Sequence, residues 1–172
     1  MSNISHDFYV QPMNQVYIET LVMYVAWTVA MLLLRGRARK VVGIIGALLA
    51  FALIMGFTLF GRSNGKDEVS LIPFISFVNA KTQPELYRTM FMNMLLFLPL
   101  GLSLPYALPD KIKHKALVSI TSGLILSVFV EALQFVFHMG RCETDDVLMN
   151  TLGMLIGASA YFIFLTLTKR KN

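Results

Sequence analysis

The sequence predicts an all-α integral membrane protein built as a bundle of five transmembrane helices, and three observations support this class. The hydrophobic fraction is 56% and the mean hydropathy is +0.64. Only 15% of the 172 residues are charged, whereas soluble domains carry roughly 25%. The apolar residues are also gathered into runs of about 20, the length that a helix needs to cross ~30 Å of hydrocarbon.

Five apolar runs are long enough to span the bilayer. They cover residues 17–34, 41–60, 90–108, 116–137 and 147–167. Asn93 and Pro99 interrupt the third run, but neighbouring helices can satisfy the carbonyl that a proline leaves without a donor. The long connection between the second and third runs contains an apolar stretch at 69–78, which is too short to cross. We expect this stretch to lie in the outer interface or to re-enter the bundle.

The distribution of Lys and Arg predicts the direction of the helices. The loop at 35–40, the loop at 109–115 and the C-terminal tail together carry ten of the fifteen cationic residues, and the opposite side carries five. Because cytoplasmic segments are enriched in Lys and Arg, the N-terminus is predicted to lie outside and the C-terminus in the cytoplasm. The net charge of +5 is therefore interpreted as basic loops facing anionic lipid, and no nucleic-acid partner is expected.

Polar residues from several segments fall at similar depth near the predicted outer face. They are Arg62, Asn93, Glu131, Gln134, Arg141, Asp145, Asp146 and Asn150. Glu131, Gln134 and His138 share one face of the fourth span because they lie at i, i+3 and i+7. Small residues at 119, 123 and 127 lead to Glu131, and Gly153 and Gly157 follow Asn150. We expect the fourth and fifth spans to pack along these small residues, since such residues allow close helix approach.

A carboxylate at this depth requires a partner or a proton, since its insertion costs at least ~2.5–3.5 kcal/mol at the helix centre. Arg62, Arg88 and Arg141 are the available cations, and we favour Arg141 or Arg62 as the partner of Glu131. Asn93 and Gln134 have a simpler interpretation as hydrogen-bonding residues between helices. Taken alone, Asp145 and Asp146 are better explained as part of a solvated loop with a helix N-terminus, since anions favour that end.

Four sequence blocks make a family resemblance specific. They are SLIPF at 70–74, NMLLFLPLG at 93–101, SVFVEALQF at 127–135 and RCETDDVLMNTLG at 141–153, followed by Gly157. In order and spacing these blocks resemble the VanZ-like family over residues 60–157. The resemblance implies a single multi-spanning domain over 1–172 in the bacterial plasma membrane. It also implies that Asn93, Glu131, Gln134, Asp146 and Asn150 occupy the polar positions of the family. Arg62, Arg141 and Asp145 are looser matches.

Two functions follow from the resemblance and the position of these polar residues. The family's namesake is associated with resistance to teicoplanin-type lipoglycopeptides, so the first is a binding protein of the cell envelope. Its outward-facing polar pocket would take the drug, a lipid-linked cell-wall precursor or a lipid headgroup. The alternative is an enzyme acting on a polyprenyl-phosphate or phospholipid, with Glu131 as general base. No cofactor motif and no metal motif is readable, and the oligomeric state stays open.

Overall fold

The computed structural model describes residues 13–60, 69–137 and 142–169. Over these residues the chain is helical apart from two short strands and the connections. The helices are α1 (Met13–Leu33), α2 (Gly36–Met55), α3 (Ile75–Asn79), α4 (Glu85–Ala107), α5 (Lys115–Val136) and α6 (Thr144–Lys169). The strands are β1 (Val69–Ser70) and β2 (Cys142–Glu143), and α2 continues through a π-helical turn at Gly56–Phe60.

Four of these helices are long and apolar enough to cross a membrane. They are the segments Gly36–Thr58, Glu85–Ala107, Lys115–Val136 and Thr144–Thr168. The apolar stretch of α1 is shorter, Ile18–Leu33. The all-α class is therefore confirmed, whereas the crossing by a fifth helix and the direction of all five stay predictions.

The helices begin earlier than the apolar runs indicated. The run at 41–60 belongs to a helix that starts at Gly36, and the run at 90–108 to one that starts at Glu85. Apolar runs mark only the part of a helix that faces hydrocarbon, while backbone hydrogen bonding continues into polar flanking turns. Asp145 and Asp146 accordingly lie within the first turn of α6, where the helix dipole favours negative charge.

The closest helix contact joins α4 and α6, whose backbones meet at glycines. A Cβ on Gly153 would overlap the Met94 carbonyl, and one on Gly157 would overlap the Leu98 carbonyl. These two glycines therefore face α4, and the expectation that they pack against the fourth span, here α5, is wrong. The small residues of α5 do face α6, since Gly123 lies against the side chain of Met154.

An aromatic cluster near the basic loops holds α1 against this core. Trp27 on α1 donates from Nε1 to the carbonyl of Leu102 at 3.0 Å. Arg39 of α2 donates to the carbonyl of Met31 near the end of α1 and to that of Leu34, the residue that follows α1. Its guanidinium lies 4.3 Å above the ring of Phe164. Both contacts are favourable, because a cation is attracted to the carbonyls at a helix C-terminus and to the face of an aromatic ring.

The segment after residue 68 is tied to the start of α6. Strands β1 and β2 pair in parallel, with Val69 opposite Cys142. Phe74 then adopts a left-handed conformation (φ 66°) immediately before the short helix α3. Large apolar side chains of this segment are exposed, including those of Leu71 and Ile72. Whether the segment lies in the membrane interface or re-enters the bundle stays a prediction.

Candidate functional site

A group of buried polar side chains lies at the end of the bundle opposite the basic loops. We call it the polar cluster; it contains Thr58, Ser127, Glu131, Gln134, Asp146 and Asn150, all at most 7% exposed. The end of α2, the end of α5 and the start of α6 contribute these residues. The structure thus brings together four of the residues that the sequence singled out: Glu131, Gln134, Asp146 and Asn150.

Glu131 links α5 to the strand that precedes α6. The residue is 4% exposed and lies five residues before the end of α5, about 7.5 Å along the helix axis. Its Oε2 atom accepts a hydrogen bond from the backbone N–H of Glu143 at 3.1 Å. A hydrogen bond from a backbone N–H satisfies part of the acceptor capacity of a buried carboxyl group, so this contact helps to offset the cost of burial.

Asn150 connects α6 to α5 through one of the two polar atoms of its side chain. Its Nδ2 atom donates to the hydroxyl of Ser127 at 2.9 Å. Its Oδ1 atom is buried and has no hydrogen-bond partner among the described residues. The same is true of Nδ2 of Asn93, on the neighbouring helix α4. Asn93 immediately precedes Met94, which contacts Gly153 one turn after Asn150, so both carboxamides lie at similar depth.

Gln134 connects α5 to the π-helical turn that ends α2. Its Nε2 atom donates to the backbone carbonyl of Thr58 at 3.2 Å, and the Thr58 hydroxyl donates to the carbonyl of Ile54 at 2.6 Å. Carbonyls near a helix end lack partners within the helix, so a side-chain donor is needed there. Gln134 is fully buried. Its contact explains why an amide side chain is placed at this position.

Asp145 has a different role from the rest, because its carboxylate holds the 69–79 segment. Oδ1 accepts from the backbone N–H of Phe74 at 2.6 Å, and Oδ2 accepts from that of Ser76 at 2.8 Å. The Ser76 hydroxyl also donates to Glu143 at 3.3 Å. Asp145 is 1% exposed. The sequence placed Asp145 with the ligand-binding residues, and the structure gives it a positioning role that joins segments 69 residues apart.

Ser76, Thr58 and Glu143 were missed as members of this region. Their contacts are made through backbone groups or across long sequence separations, so no local pattern predicts them. Arg62, Arg141 and His138 lie outside the described residues, and the expected pairing of Glu131 with Arg141 or Arg62 stays a prediction. Arg88, the remaining candidate cation, is half-buried in the first turn of α4, at the same end of the bundle.

Several acidic groups lie around Cys142 at this end of the bundle. The pKa of the Cys142 thiol is raised, first by burial and then by the negative charges of Glu131, Asp146 and Glu143. In the described part of the chain, no group of three or more His, Cys, Asp or Glu side chains is placed to hold a metal ion. The polar cluster, as far as the structure describes this end, presents carboxylates, carboxamides and hydroxyls that can form hydrogen bonds.

The fold and the site define a class of protein, a helical membrane protein with a buried polar cluster at one end of its bundle. The family model described as VanZ/LLP1 matches residues 41–165, and the chain belongs to that family. Protein VanZ of Enterococcus faecium is 32% identical over 75 residues, which make up 44% of this chain and 45% of that protein. The chain thus spans less than half of the length of this curated relative. No solved structure matches the chain.

Proposed function

We propose that this VanZ-family protein crosses the bacterial plasma membrane five times and contributes to resistance against teicoplanin-type antibiotics by binding an envelope ligand at the polar cluster. The observation that carries the proposal is that Glu131, Gln134 and Asn150 are all buried at one end of the bundle, each hydrogen-bonded to a neighbouring segment or helix. The cluster lies opposite the cation-rich loops. The positive-inside rule therefore favours the outer side of the membrane, where drug, lipid-linked precursors and lipid headgroups are encountered.

The unpaired carboxamide atoms supply a reason for binding. A buried polar atom without a hydrogen bond costs about 1–3 kcal/mol, and this cost is removed when a ligand supplies the missing partner. Oδ1 of Asn150 needs a donor, whereas Nδ2 of Asn93 needs an acceptor. A ligand that carries both kinds of group, such as a sugar hydroxyl or a secondary amide, satisfies both needs.

The carboxylates narrow the range of suitable ligands further. Glu131 and Asp146 are buried acceptors, so they favour hydroxyl, amide N–H and ammonium groups over bare anions. Lipoglycopeptides, lipid-linked cell-wall precursors and several lipid headgroups share these donors together with apolar tails. The shared chemistry is thus a tailed amphiphile whose polar part is rich in hydroxyl and amide groups.

Drug susceptibility at matched expression tests the proposal. We expect both Glu131→Gln and Asn150→Ala to lower the teicoplanin concentration that the cells survive, because each removes a ligand contact. Glu85→Gln and Asn79→Ala are matched controls, since both residues are exposed. Unchanged resistance in both site variants, with membrane levels equal to the wild type, would remove the polar cluster from the mechanism.

A second candidate is an enzyme in which Glu131 acts as a general base on an envelope lipid. The position of this carboxyl group favours it, because a general base is a side chain, often a Glu or Asp, that its surroundings hold in place. Purified protein incubated with polyprenyl-phosphate lipids, with added divalent metal or with chelator, separates the two functions. A product that Glu131→Gln abolishes supports catalysis, and intact lipid binding without any product supports the binding protein.

A further inference from the structure

A second concave surface lies on the bundle, away from the polar cluster and independent of the function proposed for it. It is a groove of about 420 Å³ between α2, α4 and α5. Its walls are apolar except for Ser122, and they include Ile44, Leu48, Ala107 and Leu126. Leu48 is 63% exposed. We call this surface the apolar groove.

The apolar groove is long enough to cover most of the hydrocarbon thickness of one bilayer leaflet. On α2 it runs from Ile44 to Phe51, about 10 Å along the helix axis. On α4 it runs from Leu100 to Ala107, the last residue of that helix. It therefore extends from the end of the bundle towards its middle, compared with a half-thickness of about 15 Å for the hydrocarbon core. Lipid surrounds such a surface in a membrane, so the upper part of an acyl chain is an occupant of matching chemistry.

Cations lie at the end of the apolar groove where a headgroup would sit. On α2, Arg37 and Lys40 precede Ile44 by seven and four residues, so they share its face. On α5, Lys115 precedes Ser122 by seven residues and also shares its face. Lys115 forms an ion pair with Asp110 at 2.8 Å. Lys115 and Lys40 both lower the pKa of Asp110, which places the two lysines at one corner of the bundle.

We propose that the apolar groove binds one acyl chain of an anionic phospholipid, with the phosphate held by Arg37 and Lys40 at its basic end. Arginine and lysine both suit phosphate, the former through its planar fork of donors. A second copy of this chain is a poorer occupant. Two copies that met groove to groove around an axis normal to the membrane would bring their own cations together, and like charges at an interface are unfavourable.

Lipid titration of the full chain in mild detergent, followed by native mass spectrometry, tests this proposal. The probes are palmitoyl-oleoyl phosphatidylglycerol and the phosphatidylcholine with the same acyl chains. Wild-type protein is expected to bind phosphatidylglycerol at least several-fold more tightly. Each cation removed by Arg37→Gln and Lys40→Gln is expected to weaken that binding about fivefold, the factor equivalent to ~1 kcal/mol per basic residue near an anionic lipid. Lys81→Gln is the charge control, because Lys81 is an exposed cation that is distant in sequence from Arg37 and Lys40.

A bulky substitution tests the apolar part of the same site. Ser122 is exposed, so Ser122→Trp is expected to fill the apolar groove and to weaken both lipids, whereas Val128→Trp on another face of α5 leaves them unchanged. If Ser122→Trp lowers the melting temperature, Leu48→Trp fills the groove from the opposite wall and decides the result. Equal affinity for the two lipids, or full binding in the filled variants, would overturn the proposal. A lipid-free dimer that Ser122→Trp dissociates would assign the apolar groove to a second copy.

Discussion

The structure predicts that the carboxylate of Asp145 holds the 69–79 segment in place. Two backbone amides, those of Phe74 and Ser76, depend on this one side chain, at 2.6 and 2.8 Å. In Asp145→Asn the amide oxygen keeps one of these hydrogen bonds. The new NH₂ group then faces the other N–H, so a donor meets a donor. The substitution has almost the same volume, which leaves packing unchanged.

The magnitude follows from the number and type of hydrogen bonds lost. A hydrogen bond to a charged group contributes about 1.5–3 kcal/mol, so the loss of one reduces the free energy of local opening by about 2 kcal/mol. That reduction corresponds to a roughly 30-fold faster exchange of the affected amides, since each tenfold step is ~1.4 kcal/mol. Asp145→Ala removes both contacts and is expected to accelerate exchange further.

Amide hydrogen exchange of the purified protein measures this directly. The exchange of Phe74 and Ser76 is expected to accelerate, while the Val118 amide, which donates to the His114 carbonyl at the opposite end, keeps its wild-type rate. Unchanged exchange at both Phe74 and Ser76 in Asp145→Asn would refute the positioning role of Asp145. A uniform acceleration that includes Val118 would show that the substitution acts on global stability instead.

Two further predictions concern the helix contact and the cysteine beside the polar cluster. Gly153→Ala is expected to destabilise the protein by about 1–3 kcal/mol in thermal unfolding. The added Cβ would overlap the backbone of Met94, and a backbone cannot move aside as a flexible side chain can. Gly56→Ala, with open space at its Cβ, is expected to leave stability unchanged or slightly raised; equal losses in both variants would contradict this view. Alkylation of Cys142 is expected to be slow at neutral pH and to accelerate as the pH rises, because its raised pKa keeps the reactive thiolate scarce. Glu131→Gln removes a negative charge, lowers that pKa and is expected to speed the reaction near neutral pH, and a slower reaction would contradict the assigned electrostatics.

The helices were predictable from the sequence because apolar runs of this length have few other interpretations. The common depth of Glu131, Gln134 and Asn150 was also predictable, since it depends only on residue counts from the helix ends. These quantities are local: they follow from the rise per residue and from the position of charged loops. The part of the site that lies along α5 and α6 could therefore be anticipated.

The rotation of each helix about its axis could not be read from the same patterns. Asn150 and Gly153 lie about 60° apart around α6, so one contacts Ser127 of α5 while the other contacts Met94 of α4. A stripe of small residues predicts that some helix approaches closely, but it does not identify which helix. For this reason the prediction that Gly153 and Gly157 pack against α5 is wrong.

Long-range backbone contacts were equally inaccessible to sequence patterns. The carboxylate of Asp145 accepts hydrogen bonds from backbone amides that lie about 70 residues earlier in the chain. A backbone donor carries no signature in the amino-acid sequence, because every residue except proline has one. An acidic residue in the first turn of a helix is explained by the helix dipole alone, so nothing suggested this second partner.

The central claim is that a ligand binds at the polar cluster through two carboxamide atoms, Oδ1 of Asn150 and Nδ2 of Asn93, that lack partners among the described residues. An experimental structure of the full chain purified with its native lipids, or with added teicoplanin, tests this claim most directly. The account predicts ligand density within hydrogen-bonding distance of Asn150 Oδ1 and Asn93 Nδ2, beside the carboxylate of Glu131. Ordered water alone at these atoms, with ligand density elsewhere on the bundle, would contradict it.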